Sequence, residues 1–339
     1  MAGSDPLGKP QENAGKPEEI AGKPRQSGGG AVLRIGTRGS PLALIQAEEV
    51  KARLIAAHPD LADPASVEIV IIKTTGDKIQ DRPLAEIGGK GLFTKEIEEA
   101  LIDRSIDMAV HSMKDVPTVL PAGLEIVCLL PREDPRDVLI SKAGNSIMSL
   151  PPGAVVGTAS LRRQAQLRAL RPDLSVVPLR GNVGTRLAKL DRGDAAATLL
   201  ALAGLKRLGR PDVATAILSV EEMLPAVAQG AIGIECRKDD TVTCDRLAPL
   251  HDAATAVCVA AERACLARLE GSCRTPIAAY AELRGEHLHL RALLAAPDGS
   301  YVLRDTRDGV AAEAVALGRA AAENLLAQQA TIAITETQS

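Results

Sequence analysis

The sequence predicts an α/β protein made of two sheet-and-helix blocks and a smaller α+β block at its C-terminal end. Three features predict this. From Ala31 short apolar runs alternate with helical stretches, the pattern of a parallel sheet covered by helices on both faces. The same alternation returns further along the chain. After residue 249 it gives way to a helix, consecutive strands joined by turn signals, and a last Ala-rich helix.

In the first block Val32–Ile35 reads as a strand, Pro41–Ala56 as a helix and Val67–Ile72 as a strand leading into a polar loop. Gly91–Asp103 reads as a helix, and Met108–Val110 and Leu124–Leu130 as strands. In the second block Ala154–Val156, Ser175–Leu179 and Ala195–Leu202 are strand runs. Leu161–Leu170 and Val183–Leu190 are helices, and another helix starts near Leu205. Ala231–Glu235 is one more strand, returning to the first block. In the third block Ala253–Leu269 is a helix. Ile277–Leu283, His287–Leu294 and Tyr301–Asp305 are strands with hairpin signals at Arg284-Gly285 and Pro297-Asp298-Gly299. Val310–Ala327 closes the chain as an amphipathic helix, so this block carries a three-stranded antiparallel sheet. The expected domains are residues 31–131 with 229–248, residues 132–228, and residues 249–339. Residues 1–30, where Gly-Lys-Pro recurs at 8, 15 and 22 without apolar heptad positions, have the composition of a disordered tail.

Composition excludes several functions. Aromatic residues make up 1% of the chain, with no Trp, so the cores must be built from Ala, Val, Leu and Ile. Aromatic platforms for single-stranded nucleic acid are nearly excluded, and a formal net charge of -3 lacks the basic excess of a nucleic-acid binder. No apolar run approaches the roughly 20 residues that cross a bilayer, and the N-terminus has no apolar signal core. The expectation is a cytoplasmic protein with no membrane partner. The six cysteines form no CxxC pair and have no His at zinc spacing, so neither a metal site nor a disulfide framework is expected.

Cations gather at the ends of the strand runs, where open α/β sheets bind ligands. Arg38 and Ser40 follow the first strand. Lys114 and Asp115 follow another, in His111-Ser112-Met113-Lys114-Asp115-Val116-Pro117. Ser160, Arg162 and Arg163 open a helix after Gly157, Arg180 ends a strand, Arg186 lies one turn into the next helix, and Lys206 and Arg207 follow the Ala195–Leu202 run. Helix-opening backbone N–H groups donate to anions, and Arg grips carboxylates in bidentate fashion. Repetition at equivalent strand ends in two blocks predicts a strongly positive cleft for a polyanionic ligand. Asp115 is the acid among these cations. It is either a salt-bridge or turn-capping residue, or a carboxylate that stabilises a cation and handles protons; spacing leaves both open. Cys273 is expected on a loop, between Gly271, which can end the preceding helix, and Pro276, with Arg274 beside it favouring the thiolate. Position alone leaves it either a packing thiol or a functional one. Cys128, Cys236, Cys258 and Cys265 read as core, Cys244 as an ordinary loop or helix-edge thiol, and His111 as structural. The remaining histidines, 58, 251, 287 and 289, form no cluster in the sequence.

Taken together, these segments resemble the porphobilinogen deaminase (hydroxymethylbilane synthase) family. The resembling residues are Arg34–Leu44, Gly88–Phe93, His111–Pro117, Arg132–Asp137, Gly157–Gln164, Leu179–Leu190, Ala203–Gly209, Leu224–Arg237 and Glu262–Pro276, in order from Val32 onward. The resemblance implies two doubly wound domains like type II periplasmic binding proteins and a third domain with a cysteine loop. It implies a dipyrromethane cofactor held by Cys273 through a thioether, a primer to which four porphobilinogen units are added with loss of ammonia before water releases the linear tetrapyrrole. By the same resemblance Asp115 is catalytic and also meets the cofactor. Lys114, Ser160, Arg162, Arg163 and Arg186 hold the cofactor, while Arg38, Ser40, Lys90, Arg180 and Arg207 meet substrate or growing chain. The enzyme would be a monomer needing no metal. Glu86, Thr75 and Ala196 depart from residues common in the family. The competing expectation is a non-enzymatic carboxylate-binding module of the same fold, which accounts for the arginines but not for Cys273.

Overall fold

A computed structural model describes residues 32–78, 91–269 and 275–337. The expected tail, Glu86, Lys90 and Cys273 lie outside the described residues. In chain order the strands are β1 (Leu33–Arg38), β2 (Val67–Ile72), β3 (Met108–Ser112), β4 (Leu124–Leu129), β5 (Asp137–Ser141), β6 (Val155–Gly157), β7 (Ser175–Val177), β8 (Ala197–Ala201), β9 (Ala216–Ile217), β10 (Ile232–Arg237), β11 (Ile277–Arg284), β12 (His287–Ala295) and β13 (Val302–Val310). The helices are α1 (Pro41–Ala57), α2 (Thr75–Lys78), α3 (Lys95–Ile102), α4 (Leu161–Leu170), α5 (Val183–Asp191), α6 (Leu202–Arg207), α7 (Thr241–Leu247), α8 (Ala253–Arg268) and α9 (Ala314–Thr337).

The strands form three sheets, ordered β2-β1-β3-β10-β4, β7-β6-β8-β5-β9 and β11-β12-β13. The fold is α/β, with two five-stranded sheets and a small three-stranded antiparallel sheet. The first two sheets are not purely parallel, as the alternation suggested, but mixed. β1 runs parallel to β2 and β3, and β6 runs parallel to β7 and β8. β10 runs against β3 and β4, while β5 runs against β8 and β9. The reason is connectivity. β5 is the first strand after the chain leaves the first half, and β10 is the first after it returns, so each inserts from the opposite direction. Strands β5 and β9 and helix α7 were not anticipated. β5 holds only three apolar residues behind a charged stretch, β9 is two residues long, and α7 has the polar sequence Thr-Val-Thr-Cys-Asp-Arg-Leu.

The two crossings lie side by side. Leu130 donates its N–H to Ile232, and Glu133 donates to Gly230. The Arg132 Nε donates to the Gln229 carbonyl at 2.9 Å, and the Gln229 amide donates to the Pro135 carbonyl at 2.7 Å. The third sheet and its helices pack against this seam. A single apolar cluster joins Met113, Val116, Val227 and Ala228 to Val259 of α8, Ile277 of β11 and Leu325 of α9. A smaller cluster joins Ala165 of α4 to Ala278 and Leu293. With almost no aromatics to fill space, close approach of helices builds this core. Gly318 of α9 sits so near α8 that a Cβ there would lie 2.1 Å from the Ala261 carbonyl oxygen.

Candidate functional site

The cations lie where the sheet order places them, at the carboxyl ends of β1 and β3 in one half and of β6, β7 and β8 in the other. Ser40 and Ser160 both cap helices. The Ser40 hydroxyl accepts from the Ala43 N–H at 3.3 Å, and the Ser160 hydroxyl accepts from the Arg163 N–H at 3.4 Å. Such caps satisfy one of the free donors at a helix start and leave its remaining N–H groups facing the strand ends. Arg180 precedes Gly181, whose φ of 115° suits a glycine, and Asn182 then caps α5 through the Thr185 N–H.

The turn after β3 carries Lys114 and Asp115 in a single 3-10 turn, Met113–Asp115. It is anchored by buried Met113, whose N–H donates to the Ala231 carbonyl at 3.1 Å. Among the described residues Asp115 accepts no hydrogen bond and makes no ion pair, so neither the salt bridge nor the capping role is realised. Both side chains are open to solvent. Desolvation there lowers the Lys114 pKa, with Arg163 and Arg186 adding to the effect and Asp115 and Asp137 opposing it. The Arg186 guanidinium is likewise brought down to about 10, by burial and then by Arg163 and Arg180, against the pull of Asp115. Charges from both halves therefore lie near enough to act on one another.

The arginines differ in how much they have left to offer. Arg162 and Arg163 are buried and share the carboxylate of Asp137, through Nη2 atoms at 2.6 and 2.7 Å. Arg162 also donates to the Leu224 carbonyl at 2.7 Å, and Arg163 donates to the Leu199 carbonyl at 2.9 Å. Arg186 donates through Nε to the Gly181 carbonyl at 2.9 Å. Arg38 is paired with Asp77 and lies 4.1 Å over the Phe93 ring. Arg207 donates to the Gly230 carbonyl at 2.9 Å and reaches Glu49 of α1 at 3.9 Å, spanning both halves. Among the described residues, buried donors at Arg162 Nε, Arg163 Nε and Arg180 Nη1 have no partner. Since buried polar groups are nearly always paired, these orphans fit an anionic group with several carboxylates. Of the residues departing from the family pattern, Thr75 bonds Glu96, and Ala196 pairs through its backbone with Val155.

Sequence reasoning missed Asp137, Gln229 and Glu262. Asp137 was legible only as a charge standing at the head of an apolar run. Glu262 is fully buried in α8 and accepts from Arg132 at 2.5 and 3.1 Å and from the Ala228 and Ala281 N–H groups at 2.6 and 2.8 Å. His111 is buried, 2.8 Å from Glu235. His287 and His289, separate in the sequence reading, share Asp308 across β12 and β13, because residues two apart on a strand face the same side. The described thiols are all held protonated. Burial pushes Cys128 and Cys265 up to about 12 and Cys258 to about 11, and raises Cys236 and Cys244 as well. Among the described residues no group of His, Cys, Asp and Glu could hold a metal, and no helix is long and apolar enough to cross a membrane.

Two mixed sheets, paired crossings and strand-end arginines around a carboxylate that has no partner among the described residues define an α/β protein with a strongly basic region where its halves meet. Comparison with known proteins makes this class specific. Residues 33–245 match the family model described as porphobilinogen deaminase, dipyromethane cofactor binding domain, and residues 256–327 match porphobilinogen deaminase, C-terminal domain. The porphobilinogen deaminase of Paracoccus denitrificans is 58% identical over 86% of this chain and 93% of its own. The chloroplastic porphobilinogen deaminase of Oryza sativa subsp. japonica is 59% identical over 82% of this chain and 78% of its own. Among solved structures, the methionine-binding protein MetQ is 13% identical over 64% of this chain and 89% of its own, at a TM-score of 0.40. The chain belongs to the porphobilinogen deaminase family. It is therefore a transferase with a dipyrromethane cofactor-binding domain, and the reading as a non-enzymatic binding module is set aside.

Proposed function

We propose that the chain adds porphobilinogen units, with loss of ammonia, to a dipyrromethane primer and releases the linear tetrapyrrole hydroxymethylbilane. The observation that carries the site assignment is Asp115, a carboxylate without partners among the described residues, at a strand end among cations from both halves. A carboxylate so placed can stabilise positive charge as it develops on the substrate when ammonia leaves, and can take and return a pyrrole N–H proton. Lys114, Ser160, Arg162, Arg163 and Arg186 would hold the primer's carboxylates, and the orphaned Nε atoms of the arginine pair support this. When bound, the primer supplies a tethered pyrrole carbon that attacks the activated substrate. Arg38, Ser40, Lys90, Arg180 and Arg207 would meet substrate or growing chain, so a substrate carboxylate at Arg38 has to exchange places with Asp77.

Cys273 is our attachment point for the primer. The other thiols support it indirectly, since burial keeps all five protonated and poor nucleophiles. The three sheets would correspond to domains of residues 31–131 with 229–248, 132–228 and 249–339, in a cytoplasmic monomer. Intact-protein mass spectrometry tests the reading. The wild-type chain made in a porphobilinogen-producing host carries the mass of two linked pyrrole units, and Cys273→Ser loses it. Asp115→Ala keeps the fold and loses turnover. An unmodified folded wild type, or normal turnover in Asp115→Ala, overturns the respective assignment.

A further inference from the structure

The arginine pair at the start of α4 raises a problem that its proposed ligand does not solve. Arg162 and Arg163 are adjacent, each 5% exposed, and like charges brought together in a desolvated place repel strongly. Burial indeed lowers the Arg162 pKa, with Arg163 adding to the effect and Asp137 opposing both. Something must hold the two guanidiniums charged and oriented before any ligand arrives. Asp137 is the group in position to do it. It is fully buried at the first residue of β5, where the chain has just entered the second half, and each of its oxygens takes one arginine. Its Oδ1 also accepts from the Gln229 amide at 2.8 Å, and Gln229 belongs to the returning crossing. Burial would raise the Asp137 pKa, but Arg162, Arg163 and these hydrogen bonds hold it far below the usual carboxylate range.

We propose that Asp137 is a positioning residue of the primer site: its carboxylate fixes both guanidiniums against the two crossings, so that their remaining donors point at the primer before it is assembled. This rests on the primer reading above. Asp137 is fully buried against Arg162, Arg163 and Gln229, so it does not face the ligand itself. It acts by clamping the groups that do. The clamp also explains why the sequence places an acid at the head of an otherwise apolar strand, where burying an unpaired charge would be costly. Substrate-facing Arg38 hangs on other elements, so it should not feel the clamp.

Asp137→Asn tests this. It removes the charge and turns an N–H₂ group toward a guanidinium while keeping the shape. Leaving one buried donor unmatched is enough for about a tenfold effect or more on a site that needs it. The expected result is a folded protein by circular dichroism whose fraction carrying the two-pyrrole mass falls about tenfold. In the primed fraction kcat falls while KM for porphobilinogen changes less than about twofold, because Arg38 is untouched. A purely structural Asp137 would lower the melting temperature but leave primer fraction and kcat per folded molecule at wild-type values, and that result overturns the proposal. If Asp137→Asn does not fold, Gln229→Met decides. It leaves all three charges in place and removes only the amide that ties Asp137 to the Pro135 carbonyl, and an unchanged kcat and primer fraction there also overturns the proposal. A wild type lacking the adduct would instead sink the primer reading, and is seen in the same spectrum.

Discussion

Replacing Glu262 by Gln should be among the most destabilising single changes in the molecule, although Glu262 lies on α8, outside the cation cluster. Its carboxylate takes four hydrogen bonds: two from Arg132, and one each from the Ala228 and Ala281 N–H groups. Arg132 is on the outgoing crossing, Ala228 is on the returning one and Ala281 is in β11, so one buried side chain ties three segments together. Burial alone would lower the Arg132 pKa, but Glu262 outweighs it and raises it. Removing one partner of a buried ion pair costs about 3–5 kcal/mol, and the amide N–H₂ of Gln leaves a further donor unmatched at about 1–3 kcal/mol. The expected loss is therefore at least about 4 kcal/mol. At about 2 °C per kcal/mol for a large domain, the melting temperature falls by about 8 °C. Urea unfolding followed by circular dichroism measures it, with Asp239→Asn as the control. The Asp239–Arg104 pair is well exposed on both sides and should matter by less than about 1 kcal/mol. A Glu262→Gln protein within about 1 kcal/mol of wild type would refute the view that this carboxylate locks the crossings.

Two further outcomes follow from the same contacts. Gly233 of β10 has no room for a side chain, since a Cβ would lie 2.1 Å from the Met113 sulfur. Gly233→Ala should therefore displace the turn bearing Lys114 and Asp115, destabilise by about 1–3 kcal/mol and cut kcat by about 10- to 100-fold. A steady-state assay beside a melting curve checks both. Asp137, whose pKa is depressed on folding, contributes stability that is fully present above the ordinary carboxylate pKa of about 4 and is lost as pH falls toward its lower folded value. The stability gap between wild type and Asp137→Asn in urea titrations should be widest near neutrality and narrow as pH falls below about 4. A constant gap would mean that the charge of Asp137 does not contribute.

The amino-acid sequence by itself determined the α/β class, the third sheet and the strand-end placement of the cations, because these depend on local periodicity and on spacings of a few residues. Ser160 with Arg162 and Arg163 could be read as a helix start because capping is a short-range effect. The direction of β5 and β10 could not be read, because a short apolar run looks the same whichever way it enters a sheet. Nor could the partners of the arginines. Asp137 lies 25 residues from Arg162 and Glu262 lies 130 from Arg132, and no periodicity relates residues so far apart. Only the tertiary structure decided which cations are already paired and which carboxylate has no protein partner. The physical reason is desolvation. A charge carried into the interior must find its counter-charge there, and that match is made by packing across the two crossings, not by neighbours along the chain.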